Sequence, residues 1–158
     1  MKITLLLTGK TSFDFVKEGM ALYAKRLSFY VTFNVVEIPE LKGVSSLSKE
    51  EIKIKEGALI LKNVKPADCL ILLDERGASF TSEAWAHDLQ HRITVNSGKD
   101  IIFVIGGAYG FSSSVYDRAD AMLSLSKMTF SHQIVRTIFL EQLYRAFTIM
   151  RGEPYHHQ

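Results

Sequence analysis

Ile101-Ile102-Phe103-Val104-Ile105-Gly106-Gly107-Ala108-Tyr109-Gly110 reads as a strand running straight into a glycine-rich loop. Five consecutive apolar residues leave the strand no polar face, which is the pattern of a parallel strand covered on both sides. Cys69-Leu70-Ile71-Leu72-Leu73, followed by Asp74-Glu75-Arg76-Gly77, has the same form. Working outward, Lys2–Thr8 is a β-rich apolar run, residues 31–38 alternate until Pro39 ends them, and residues 121–125 make a short further strand. Helical patterns separate the strands. Thr11 or Ser12 is placed to cap a helix to about residue 30, with Phe15, Val16, Met20, Tyr23 and Leu27 on its inner face. Ser48-Lys49-Glu50-Glu51 is a capping-box pattern opening a helix to about residue 64. Thr81 or Ser82 opens another to about residue 95, and a long last helix covers about 131–150. Strands alternating with helices predict one α/β domain over residues 1–158, a mainly parallel sheet with helices on both faces.

The 158 residues are 47% hydrophobic and 23% charged, enough for one compact core and against disorder. No apolar run reaches the roughly 18 residues that span a bilayer. The apolar run near the N-terminus is too short for a secretory signal and reads as a strand. The lone Cys69 has no internal partner for a disulfide, so the expectation is a cytoplasmic chain with no membrane role. A net charge of +2 neither demands nor excludes an RNA partner.

Ligands of parallel sheets bind at the carboxyl ends of the strands, and three loops occupy those ends. They are Leu73-Asp74-Glu75-Arg76-Gly77, Ile105-Gly106-Gly107-Ala108-Tyr109-Gly110 and Leu125-Ser126-Lys127-Met128-Thr129-Phe130-Ser131-His132. The glycines are expected to permit positive φ and a close approach of backbone to a flat heterocycle. Taken with Glu141-Gln142-Leu143-Tyr144-Arg145-Ala146 and Pro154-Tyr155-His156, these loops resemble the RlmH family, large-subunit ribosomal RNA methyltransferases of the SPOUT class. The resemblance covers essentially the whole chain.

It implies a C-terminal trefoil knot, against the general rule that chains do not thread, and a homodimer. It implies S-adenosyl-L-methionine as cofactor, held by Leu73, Gly106, Leu125, Ser126, Lys127, Met128, Thr129 and Phe130. The implied substrate is N3 of a pseudouridine in the helix 69 loop of 23S rRNA, methylated on the assembled ribosome. One departure stands out: Ser131 occupies the place where many members have proline, so a fixed φ is lost before His132.

The last helix is apolar on more than one side, through Ile134, Val135, Ile138, Phe139, Leu140, Leu143, Tyr144, Phe147 and Met150. That pattern fits a helix buried against both its own sheet and a partner, and equally a central core helix. Lys127, His132, Arg136, Arg145, Arg151, His156 and His157 concentrate positive charge in the C-terminal third, suited to phosphate. Tyr155 and the histidines suit stacking on an exposed base, while basic residues at a helix end are also favoured by its dipole. An imide N3 must lose a proton, which makes His132 and His156 candidate bases, and Arg136 and Arg145 candidates for stabilising the anion.

Other motifs lead nowhere. Gly9-Lys10-Thr11 lacks the earlier glycine of a phosphate loop, since Thr4 stands there. His87 and His91 are one helical turn apart, but Asp88 replaces the glutamate of a zinc motif and no third ligand is evident, so no metal is expected. Rival functions are methylation of another RNA such as tRNA, a ribosome-binding module without turnover, and a nucleotide-binding protein without RNA.

Overall fold

The computed structural model describes residues 1–157. Five strands, β1 (Lys2–Thr8), β2 (Thr32–Ile38), β3 (Cys69–Ser79), β4 (Ile101–Ile105) and β5 (Ala121–Ser124), form one sheet in the order β2-β1-β4-β3-β5. Every neighbouring pair is parallel. The helices are α1 (Asp14–Leu27), α2 (Lys49–Lys62), α3 (Ser82–Val95), α4 (Ser113–Arg118) and α5 (Ile134–Met150), with a 3-10 turn at Val44–Ser46.

Side chains alternate across a strand, and here the alternation sorts the core into two layers. Ile3, Leu5, Leu7, Cys69, Ile71, Ile101, Phe103 and Ile105 face one side, packed with Trp85, Leu89, Phe139, Leu140 and Leu143. Leu6, Leu70, Leu72, Ile102 and Val104 face the other, packed with Ile60, Phe111 and Val115. Thus α1, α3 and α5 cover one face, and α2 and α4 the other. The helix α5 packs against both α1 and α3, which accounts for its apolar girth.

Local rules set most boundaries. Ser48 and Glu51 form the reciprocal capping box, and Thr81 Oγ1 accepts from the Ala84 N–H. The expected cap of α1 is corrected. Phe13 occupies that place without a side-chain bond, because Thr11 is buried and its hydroxyl serves Arg136. Phe15 is 61% exposed and stacks on Phe13 at 5.7 Å, while Val16, Met20 and Leu27 carry the buried stripe. The last helix starts at Ile134 rather than Ser131, whose Oγ accepts from the Ile134 N–H at 3.2 Å. The helix α4 was not anticipated, although Ser112 caps it through the Val115 N–H. The strand β3 also outruns its apolar core: pairing with β5 breaks after Leu73 and resumes at Ala78, both opposite Leu123.

Between β5 and α5 the chain crosses the carboxyl end of the sheet. It leaves β5 at one edge and reaches α5 beside the end of β1, where Gln133 Oε1 accepts from the Ser12 N–H and its Nε2 donates to the Lys10 carbonyl. Among the described residues no helix is long and apolar enough to cross a membrane.

Candidate active site

The three strand-end loops meet in one open cleft of about 610 Å³, inside the range of small-molecule sites. The β3 end contributes Leu73, Asp74, Glu75 and Arg76. The β4 end contributes Ile105 through Phe111, and α4 adds Tyr116. The crossing segment supplies Leu125, Ser126, Met128, Thr129, Phe130, Ser131 and His132, and Val135 closes the wall. Of the residues expected to hold the cofactor, Leu73, Gly106, Leu125, Ser126, Met128, Thr129 and Phe130 therefore stand together. Lys127 is the exception, since it is exposed and does not line the cleft.

Of the three glycines in the loop after β4, Gly110 has the expected positive φ, +82°, and Gly106 and Gly107 do not. A Cβ on Gly106 would lie 2.9 Å from the Phe111 ring, and one on Gly107 would lie 2.8 Å from the Glu56 carboxylate. Both glycines let the loop settle onto side chains beneath it. Glu56 Oε1 is buried without a hydrogen-bond partner among the described residues, and burial raises its pKa.

Asp74 organises the first loop. Its carboxylate accepts from the Tyr116 hydroxyl, from the Arg76 N–H at 2.8 Å and from Arg76 Nε at 3.4 Å. Burial pushes this carboxyl up, but the Tyr116 and Arg76 donors outweigh it and hold it below the usual carboxylate range. Burial and the facing Asp74 raise the Tyr116 phenol in turn. The serines at 112–114 are a helix-start signal that points to α4, and so to Tyr116, from sequence; nothing local points to Asp74 and Arg76 as a unit.

The four candidate catalytic residues do not gather. His132 lines the cleft. Arg136 is corrected: it is completely buried, donating to the His132 carbonyl (3.0 Å), Thr11 Oγ1 (2.8 Å) and the Thr8 carbonyl (3.1 Å). Its guanidinium positions the crossing segment and has no open route to a substrate. Arg145 and His156 lie in a second cluster outside this chain's cleft lining. Arg145 Nη2 donates to Glu141 Oε1 at 2.6 Å and Nη1 meets His156 Nδ1 at 3.0 Å. His156 Nε2 faces Glu83 at 3.3 Å, and the Tyr155 hydroxyl donates to Glu141 at 3.0 Å. The tail is thus tied down on α3 and α5. Tyr30 donates to Glu153 at 2.6 Å, a bond that with burial pushes its phenol up to about 12. Among the described residues no three His, Cys, Asp or Glu side chains group as a metal site.

A family model described as predicted SPOUT methyltransferase matches residues 1–156. Proteins named ribosomal RNA large subunit methyltransferase H are similar over full length: 51% identity in Flavobacterium johnsoniae and 48% in Parabacteroides distasonis, each covering 100% of both chains. The one from Cytophaga hutchinsonii is 50% identical over 99% of this chain and 100% of its own. Among solved structures, a probable methylase family protein from Haemophilus influenzae aligns with TM-score 0.51 at 16% identity. That alignment covers 99% of this chain and 70% of the other, a likeness of fold. A parallel sheet with its strand-end loops folded into one cleft, and a family match over nearly every residue, lead to one conclusion: this chain belongs to the SPOUT methyltransferase family, within the group of the large-subunit RNA methyltransferases H.

Proposed function

We propose that this chain methylates large-subunit ribosomal RNA on the assembled ribosome, at N3 of a pseudouridine in the helix 69 loop of 23S rRNA, as a cytoplasmic homodimer. As a SPOUT methyltransferase it is an enzyme, and its cofactor is S-adenosyl-L-methionine. The observation that carries the RNA reading is the single cleft formed by the loops after β3, β4 and β5, in a chain similar end to end to ribosomal RNA methyltransferases.

The residues present fit that cofactor. Leu73, Ile105 and Leu125 offer apolar walls to a flat base, and the loop backbones after β4 and β5 line the same cleft. When bound, the cofactor supplies an electrophilic methyl group on sulfur, so most of the chemistry is its own. The protein's work is to orient the nucleophile and exclude water. His132 lines the cleft, and we assign to it the uptake of the proton leaving N3. Arg136 fixes that position by holding the His132 carbonyl. Arg145 on α5 and His156 on the tail form a second pair, suited to a base or phosphate of the RNA.

The dimer and the threaded C-terminal connection belong to the same reading. Ile134 and Met128 are exposed beside the cleft, which suits coverage by a second chain. The crossing of residues 125–133 over the sheet end suits threading.

Nucleoside analysis of the product is the test. Transfer to ribosomes yielding 3-methylpseudouridine supports the reading. Transfer only to tRNA, or product on another nucleoside, overturns it.

A further inference from the structure

Arg76, which lines the cleft, and Lys49, which lies outside its lining, each sit on a tyrosine of the cleft wall. The Arg76 guanidinium carbon is 4.6 Å from the centre of the Tyr116 ring, and Lys49 Nζ is 5.5 Å from that of Tyr109. Both tyrosines line the cleft, Tyr109 from the turn after β4 and Tyr116 from α4. We propose that Arg76 and Lys49 bind backbone phosphates of the RNA strand at the cleft mouth. This rests on the RNA reading above and adds how the strand is held.

Arg76 is built as a fixed cation. Asp74 takes its Nε, Tyr116 supports one face, and Tyr116 itself stands edge-on to Phe111 at 5.7 Å. The side chain is 65% exposed, so its outer N–H groups face the cleft mouth. The parallel N–H groups of an exposed planar fork match the oxygens of a phosphate. Gly77 secures the base of this loop: a Cβ there would lie 2.6 Å from the Met122 carbonyl carbon, so the chain presses onto β5 right after Arg76. Lys49 is the first residue of α2, where the helix dipole favours anions over cations. Its charge weakens the helix it begins, and a phosphate ligand gives that charge a use.

The cofactor also has an anionic group, its carboxylate. Exposure at the mouth favours the strand over a ligand enclosed in the cleft, and the experiment separates them. Arg76→Gln, Lys49→Gln, the double variant and Arg76→Lys are assayed on unmethylated ribosomes over a range of KCl, with cofactor affinity measured by calorimetry. Arg76→Gln raises the KM for ribosomes about tenfold, the size of one charge-assisted contact. The slope of log KM against log salt falls by about 0.7–0.9 per lost phosphate contact, and about twice that in the double variant. Arg76→Lys recovers part of the loss, and cofactor affinity stays at the unsubstituted level. A matching fall in cofactor affinity overturns the proposal in favour of the carboxylate, and an unchanged salt slope overturns it outright. No transfer to ribosomes by the unsubstituted chain overturns the RNA reading and this proposal together; transfer that the substitutions leave unchanged overturns this proposal alone.

Discussion

Arg136 Nη1 donates to Thr11 Oγ1 across 2.8 Å in the interior, joining residues 125 positions apart. With its bonds to the Thr8 and His132 carbonyls, it fastens the start of α5 and the crossing segment to the end of β1. Burial lowers this guanidinium's pKa, and Glu37 and Glu40 work against that. Replacing it by methionine leaves buried acceptors without donors. Arg136→Met is expected to cost about 2–4 kcal/mol in urea unfolding. It also weakens cofactor binding, because residues 125–132 lose their anchor.

Gly106→Ala tests the cleft floor. The added methyl meets the Phe111 ring at 2.9–3.0 Å, and Phe111 is buried against α4 with little room to yield. Calorimetry is expected to show cofactor affinity reduced by about tenfold or more, the cost of overpacking by 1–3 kcal/mol.

Ser131→Ala removes the acceptor for the Ile134 N–H. The expected loss is about 0.5–2 kcal/mol, as for other helix-start caps.

Glu56 gives a pH signature. Burial raises its pKa in the folded state, so the folded chain holds this proton more tightly than the unfolded one. Its contribution is fully present below the unfolded carboxylate pKa and is lost as pH rises through the folded value. Glu56→Gln is therefore more stable than the unsubstituted chain at pH 8, with the difference vanishing as the pH falls below the ordinary carboxylate range. Urea melts at pH 4 and pH 8 check it.

His132→Ala is expected to lower kcat by about a hundredfold if its imidazole takes the N3 proton, the lower end for a general base. Turnover left intact in both His132→Ala and His156→Ala rules out a histidine base.

Much of this was legible locally. The strand β4 is bounded as its five apolar residues and Gly106 require, and Ser48–Glu51 announces α2. The three strand-end loops were legible as one site, since parallel sheets place their ligands there. What escaped depended on long-range packing. Arg136 reads as a surface charge on a helix, and only the turn after β1 encloses it. The Asp74–Arg76–Tyr116 unit needs β3 to leave β5 and return, an irregularity of register without a local motif. Phe15 shows the limit of periodicity: it lies one position off the true stripe of Val16, Met20 and Leu27.

The role proposed for this cleft is methyl transfer to large-subunit RNA. Its most direct test is incubation with methyl-labelled S-adenosylmethionine and assembled ribosomes lacking the modification, beside free large-subunit RNA, followed by mapping of the label. Label is expected at a single helix 69 pseudouridine, on ribosomes and not on free RNA. Cofactor bound without label in either substrate contradicts it.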